Sequence, residues 1–461
     1  MNILKDLRSS DGNKDIRNQT KKIGFVGIVF LAEIVYFFVG FFNSYALFAA
    51  PLCLITAIYV SNRFLITKDG GKVSICIKRQ LRSPQNIKAR HLWILALIGL
   101  LVGFAQGSWK MGNLRDLIVI TCCVLVILDP PATPNTYKTG LKLIAAFGLF
   151  YAASIWVQML LPDVYEVYLN ALENGSDTRI NKFANYYTGF TTHPSHTATY
   201  IAAGMLAFAQ FFQKGKWKLL LVEAFLTASL LCAGMRMPVI AVFLAILFLL
   251  FMQTPREKRK KICVGIFVCG VLVLCVTVVF IDQLRAIPLI GRMMTSVETL
   301  LNGGDVTSGR SKLYRHAWEL FLQNPIVGIG WGNYRNTVVG TVTYETPFDV
   351  HNIFLQLLCE TGIVGFVCFI IPMAYSLIGA IRYFGHLLNE APQDPWRKPL
   401  GFSCAFQIYF LIFGITDNPL YSVPEQIFYL ISCSVVVAYL ANNGRENLHY
   451  LNNVRGRKKK I

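Results

Sequence analysis

Residues 237–281 read MPVIAVFLAILFLLFMQTPREKRKKICVGIFVCGVLVLCVTVVFI. Two runs without a charge flank a hairpin of five cations, Arg256, Lys258, Arg259, Lys260 and Lys261. Each run is long enough to cross a hydrocarbon layer about 30 Å thick. In lipid every backbone amide must be satisfied internally, so both runs read as helices. The cations between them belong on the cytoplasmic side.

The same pattern extends along the chain. Of 461 residues, 54% are hydrophobic and only 15% charged, against about 25% charged in soluble domains. Twelve spans are read, at roughly 23–42, 45–60, 92–109, 114–128, 141–161, 194–212, 219–235, 237–252, 262–281, 353–376, 400–416 and 424–441. The first lies too deep, and too close to the second, to be a cleaved signal peptide. With the N-terminus inside, cytoplasmic segments hold 33 of the 44 Lys and Arg, and the opposite face holds 11. That bias sends both termini to the cytoplasm and explains the net charge of +19 without nucleic acid. The expected fold is an all-α polytopic integral membrane protein of about twelve helices. A cytoplasmic segment (1–22) precedes helices 1–9 (23–281). A large helical extracytoplasmic loop (282–352), helices 10–12 (353–441) and a basic cytoplasmic tail (442–461) follow. The twelve cysteines lie in or beside spans or at Cys76, and no disulfide is expected.

Function is sought in the two long outer loops, 162–193 and 282–352. SGRSKLYRHAWELF (308–321) is an amphipathic helix that Thr307 or Ser308 can cap. Arg310, Tyr314, Ala317 and Phe321 share one of its faces. A cation in the first turn opposes the helix dipole, so Arg310 calls for an anion, and a phosphate fits. The plain alternative is an exposed surface arginine. After Asn324-Pro325 come Gly328, Gly330 and Gly332 in GIGWGN, read as a turn beneath the membrane surface. His351-Asn352 opens the tenth span, with Asp349 as its cap; a helix N-terminus favours a neutral imidazole, which can act as a general base. Glu360 lies in the outer third of that span, where an acid requires a partner. Arg236 stands between two spans with almost no loop, either snorkelling or holding a head-group anion. His193 and His196 flank Pro194, with Arg179 and Lys182 upstream; two histidines without a third ligand make a poor metal site. No CxxC, HExxH, GxxxxGK[ST] or outer-face DxD occurs.

Gly309-Arg310, Trp318, Pro325, Gly328, Gly330, His351-Asn352, Gln356, Glu360, Gly362 and Gly365 together resemble the signature of the O-antigen ligase/polymerase superfamily. The likeness covers roughly 308–365 and extends elsewhere only to hydropathy. It implies a bacterial inner-membrane glycosyltransferase that needs no metal or other cofactor and uses an undecaprenyl-pyrophosphate-linked oligosaccharide at the outer face. Such an enzyme polymerises repeat units, or ligates finished glycan to an acceptor, for lipopolysaccharide or capsule. A flippase and a chain-length regulator would be its partners. By the same resemblance His351 is the catalytic base, and Arg310 and Arg236 bind diphosphate. Met235 precedes Arg236 where the family has serine. Arg315, Arg335, Asn352, Glu360, His193 and His196 are expected to bind substrate. A secondary transporter, with Glu33 and Glu223 deep in spans, and a scaffold without enzymatic activity are the competing classes. Membrane glycosyltransferases with acidic residues in the first outer loop fit poorly, since that loop is only about Asn43-Ser44.

Overall fold

A computed structural model describes residues 64–69, 72–77 and 84–458, apart from 108–109, 129, 131–132, 174–185, 192, 212–216, 305–308 and 340–347. The first two expected spans, the N-terminal segment, Arg179, Lys182, Thr307 and Ser308 fall outside the described residues. The first described element departs from an all-helical reading. Strands β1 (Phe64–Asp69) and β2 (Lys72–Ile77) pair antiparallel with Phe64 opposite Ile77. Both carry β-branched residues, and the two residues between them in the sequence, Gly70-Gly71, are a pair typical of tight hairpin loops.

Helices follow: α1 (Pro84–Gln106), α2 (Met111–Leu128), α3 (Pro134–Leu160), α4 (Pro162–Glu173), α5 (Pro194–Ala209), α6 (Trp217–Cys232), α7 (Arg236–Gln253) and α8 (Arg259–Val279). Four shorter helices come next, α9 (Ile281–Leu284), α10 (Pro288–Leu301), α11 (Arg310–Gln323) and α12 (Tyr334–Val338). Then come α13 (Ile353–Glu390), α14 (Arg397–Phe413) and α15 (Val423–Lys458). Each of the ten expected spans on described residues coincides with one of these helices. Among the described residues, six helical segments are long and apolar enough to cross a membrane by themselves: Ala89–Gln106, Pro134–Leu160, Arg236–Gln253, Arg256–Val279, Ile353–Glu390 and Glu425–Asn442. Phe150, Phe243, Phe267, Val276 and Ile371 expose apolar side chains on the outside of the bundle, as a lipid-facing surface requires. Helix α13 runs to Glu390, so most of the expected connection 377–399 is helical.

The inner packing sets the site. Helix α13 lies along α1, α3 along α5, and α14 between α7 and α15. Chain reversals bring the start of α5, the α6–α7 turn, the start of α13 and the α14–α15 connection to one end of the bundle. Helices α10 and α11 sit against that end, α10 on α6 and α11 on α13. Tyr314, Phe321 and Ala317 of α11 pack with Leu313, Tyr334, Val338, Val350 and Cys359, as the helical periodicity of 308–321 predicts.

Candidate functional site

A break in α13 organises this end. Gly362 has φ +61° and ψ −171°, far from helical values. The interrupted ladder is completed by the segment after α11. Ile329 and Gly330 donate to the carbonyls of Cys359 and Glu360 at 3.0 and 2.9 Å, while Ile363 and Val364 donate to Pro325 and Ile326 at 2.9 and 3.2 Å. Backbone groups at membrane depth are thus satisfied across the break. Gly328, Gly330 and Gly332 all have positive φ, and a Cβ on Gly330 would stand 2.4 Å from the Gln106 carbonyl oxygen. The turn expected from GIGWGN is therefore a plug between α1 and α13. Its Trp331 is fully buried and stacks on Tyr421 at 4.5 Å between ring centres.

Three residues expected to bind substrate, Glu360, Asn352 and Arg335, make contacts within this scaffold. Glu360 is fully buried; its carboxylate accepts from the Gly332 amide at 2.9 Å and the Tyr334 amide at 3.2 Å. The partner that an acid at this depth requires is backbone N–H. Asn352 is the N-cap of α13, accepting from the amides of Phe354 and Leu355 at 3.0 Å each. Asp349 is therefore not the cap. It forms a two-pronged ion pair with Arg335, both contacts 2.6 Å. Arg315 is exposed on α11.

The other residues converge. His351 occupies the left-handed region, at φ +57°, alone among described non-glycine residues. Its Nδ1 stands 3.4 Å from the Asp417 carboxylate, in the α14–α15 connection. Burial would raise the Asp417 carboxyl, but the hydrogen bond and charge of His351, the Asn418 amide and His193 together hold it below the ordinary range. The Tyr314 hydroxyl donates to the His351 carbonyl at 3.1 Å. One residue before Asp417, the Thr416 carbonyl accepts from Arg310 Nη1 at 2.5 Å. Arg310 opens α11, whose N-cap is Gly309. Part of the opposition to the helix dipole is offset by this carbonyl near the C-terminal end of α14.

Arg236 opens α7 and hydrogen-bonds the Ser296 hydroxyl of α10. One turn before Ser296, Arg292 donates to the Gly234 carbonyl at 2.6 Å and lies over the Tyr186 ring at 4.1 Å. Burial first, and then repulsion from Arg236 and Arg310 working against Tyr186, pushes the Arg292 guanidinium below its ordinary value. Arg292 is thus within electrostatic reach of both Arg236 and Arg310. Each of the three hydrogen-bonds a neutral oxygen, on Ser296, Gly234 or Thr416, so none of these contacts offsets its charge.

The start of α5 closes the other side. His193 is its N-cap, accepting from the Ser195 amide at 3.2 Å. Its imidazole is pushed down to about 4 by burial and by His196, with His351 adding to this and Asp417 and Glu425 opposing it. His193 therefore stays neutral at pH 7, within reach of the His351–Asp417 pair. His196 Nδ1 lies 3.0 Å from Glu425.

Of this group the sequence marks Arg236, Arg310, His351, His193 and His196, while Asp417, Arg292 and Tyr186 emerge from the structure; an acid in a short connection between spans, and a cation on the polar side of α10, are the sequence signals for the first two.

Residues 220–370 match the family model described as O-antigen ligase. The match runs from α6 into α13 and includes Arg236, Arg292, Arg310, His351 and Glu360, whereas His193 and Asp417 lie outside it. No curated protein matches the chain. This match supports the O-antigen ligase/polymerase superfamily to which the motifs of the chain point.

Proposed function

We propose that the protein is a glycosyltransferase of the bacterial cytoplasmic membrane, both termini inside, which polymerises undecaprenyl-pyrophosphate-linked oligosaccharide units at the outer face. The observation supporting this reading is the meeting of three arginines, none bonded to an acid among the described residues, with the His351–Asp417 pair at one end of the bundle. A cluster of guanidiniums without carboxylate partners among the described residues suits an anion, and guanidinium matches phosphate in fork geometry.

The chemistry then follows. The donor diphosphate lies among Arg236, Arg292 and Arg310. Asp417 accepts a hydrogen bond from the Nδ1–H of His351, which keeps the proton there and leaves Nε2 basic. Nε2 takes the proton of an acceptor hydroxyl as its oxygen attacks the anomeric carbon. The bond from that carbon to phosphate oxygen breaks, its electron pair leaves with the diphosphate, and the arginines stabilise the developing charge. A direct attack inverts the anomeric centre.

Deleting the gene and examining surface glycan and carrier lipid tests this. Single repeat units stranded on the carrier indicate a polymerase. Full-length chains stranded there indicate ligation to an acceptor. Unchanged surface glycan, or full activity of a His351→Ala protein, overturns the assignment.

A further inference from the structure

Beside the arginine cluster is a cavity of about 420 Å³, within the size range of small-molecule sites, about 300–1,000 Å³. Its wall includes Tyr186, Tyr187, Arg285, Arg292 and Thr295. Arg292 is common to both spaces. It lines the cavity, is held by the Gly234 carbonyl two residues before Arg236, and senses the charges of Arg236 and Arg310.

The two spaces differ in chemistry. The guanidiniums of Arg236 and Arg310 have no acid among the contacts that hold them. At the cavity, Arg285 is ion-paired with Glu298, and the Tyr186 ring covers Arg292. The charge of Arg285 is therefore paired, Arg292 keeps its charge at the edge shared with Arg236 and Arg310, and the rest of the wall offers two aromatic rings with hydroxyl donors. That combination suits a sugar ring, whose C–H faces pack on aromatic surfaces while its hydroxyls take hydrogen bonds at the edge. A site for a second phosphate would instead keep its cations unpaired.

Resting on the reading of the arginines as a diphosphate site, we infer that this cavity is a carbohydrate subsite. It receives a sugar ring of the lipid-linked glycan next to the diphosphate, with Tyr187 as a stacking platform and Arg292 marking the boundary between sugar and phosphate.

Equilibrium binding to the purified full-length protein tests the subsite. Two probes are used: undecaprenyl pyrophosphate without glycan, and the lipid-linked oligosaccharide extracted from cells lacking this gene. Wild-type protein is expected to bind the glycan-bearing lipid more tightly. Tyr187→Ala should remove about tenfold of that affinity, Tyr187→Phe should retain most of it, and neither should alter binding of the bare diphosphate lipid. Equal wild-type affinity for both probes, or a Tyr187→Ala protein that binds both as wild type does or loses both together, overturns the subsite. Failure of the diphosphate reading looks different: wild type then binds neither probe, or Arg236→Ala and Arg310→Ala leave bare-lipid binding unchanged, and the subsite falls with it.

Discussion

The imidazole of His351 faces the carboxylate of Asp417 at 3.4 Å across 66 residues of sequence, one at the entry to α13 and the other just beyond α14. Neighbouring contacts hold the two together. The Ile353 amide donates to the Gly414 carbonyl at 2.9 Å, and Arg310 grips Thr416. The left-handed backbone of His351, which costs roughly 1–2 kcal/mol for a side-chain-bearing residue, is held in place by this double tie.

If Asp417 sets the tautomer, Asp417→Asn lowers turnover about 100-fold and leaves the apparent donor affinity near wild type. Steady-state kinetics separating kcat from KM decides this. An unchanged kcat removes Asp417 from the mechanism.

Loss of one stabilising cation costs more than loss of its tether. Arg310→Ala is expected to slow transfer about 10²–10³-fold, and Arg310→Lys to recover only part, because an ammonium is a point charge. Ser296→Ala frees Arg236 without removing it, for a loss of about tenfold, as expected of one charge-assisted hydrogen bond. Ranking the three variants in one initial-rate assay checks the order. Ser296→Ala slower than Arg310→Ala contradicts it.

Glu360 separates scaffold from substrate binding. Glu360→Gln loses acceptor capacity toward the Gly332 and Tyr334 amides, at a cost of about 1–3 kcal/mol in stability. The folded fraction should bind donor as wild type does. Thermal unfolding alongside donor binding distinguishes the two roles, and weaker binding with unchanged Tm restores Glu360 to the substrate site.

His193 makes stability pH-dependent. An unfolded histidine takes up its proton near 6.5, and His193 in the fold only near 4. Protons therefore favour the unfolded chain between those values: the stabilisation is complete above about 6.5 and lost as pH falls toward 4. His193→Asn keeps a helix cap and should flatten this decline. Tm measured at pH 7 and pH 4.5 for both proteins gives the comparison. Parallel slopes assign the decline elsewhere.

Hydropathy made the helical bundle legible, because lipid leaves a spanning backbone few options. Arg236, Arg310 and His351 were legible as polar groups out of keeping with their surroundings. What stayed hidden was backbone satisfaction. Glu360 and Asn352 lie beside the motif and invite a substrate role, but the turn at 332–334 and a helix start at Ile353 leave amides that need acceptors nearby. Asp417 and Arg292 were hidden for another reason. Neither stands out within its own segment, and their significance comes from partners 66 and 58 residues away. The hairpin at 64–77 is obscured in the sequence by its cations, which mark the stretch as a connection between spans.

The junction at Gly362 also constrains the order of assembly. The carbonyls it frees are capped by residues 329 and 330, and its following amides by 325 and 326, all of which precede it in the chain. Synthesis from the N-terminus delivers that cap before the broken helix arrives, so the helix never waits in lipid with its gap open. Had the cap lain downstream, biogenesis would have required an exposed polar seam to persist in the bilayer until the ribosome caught up.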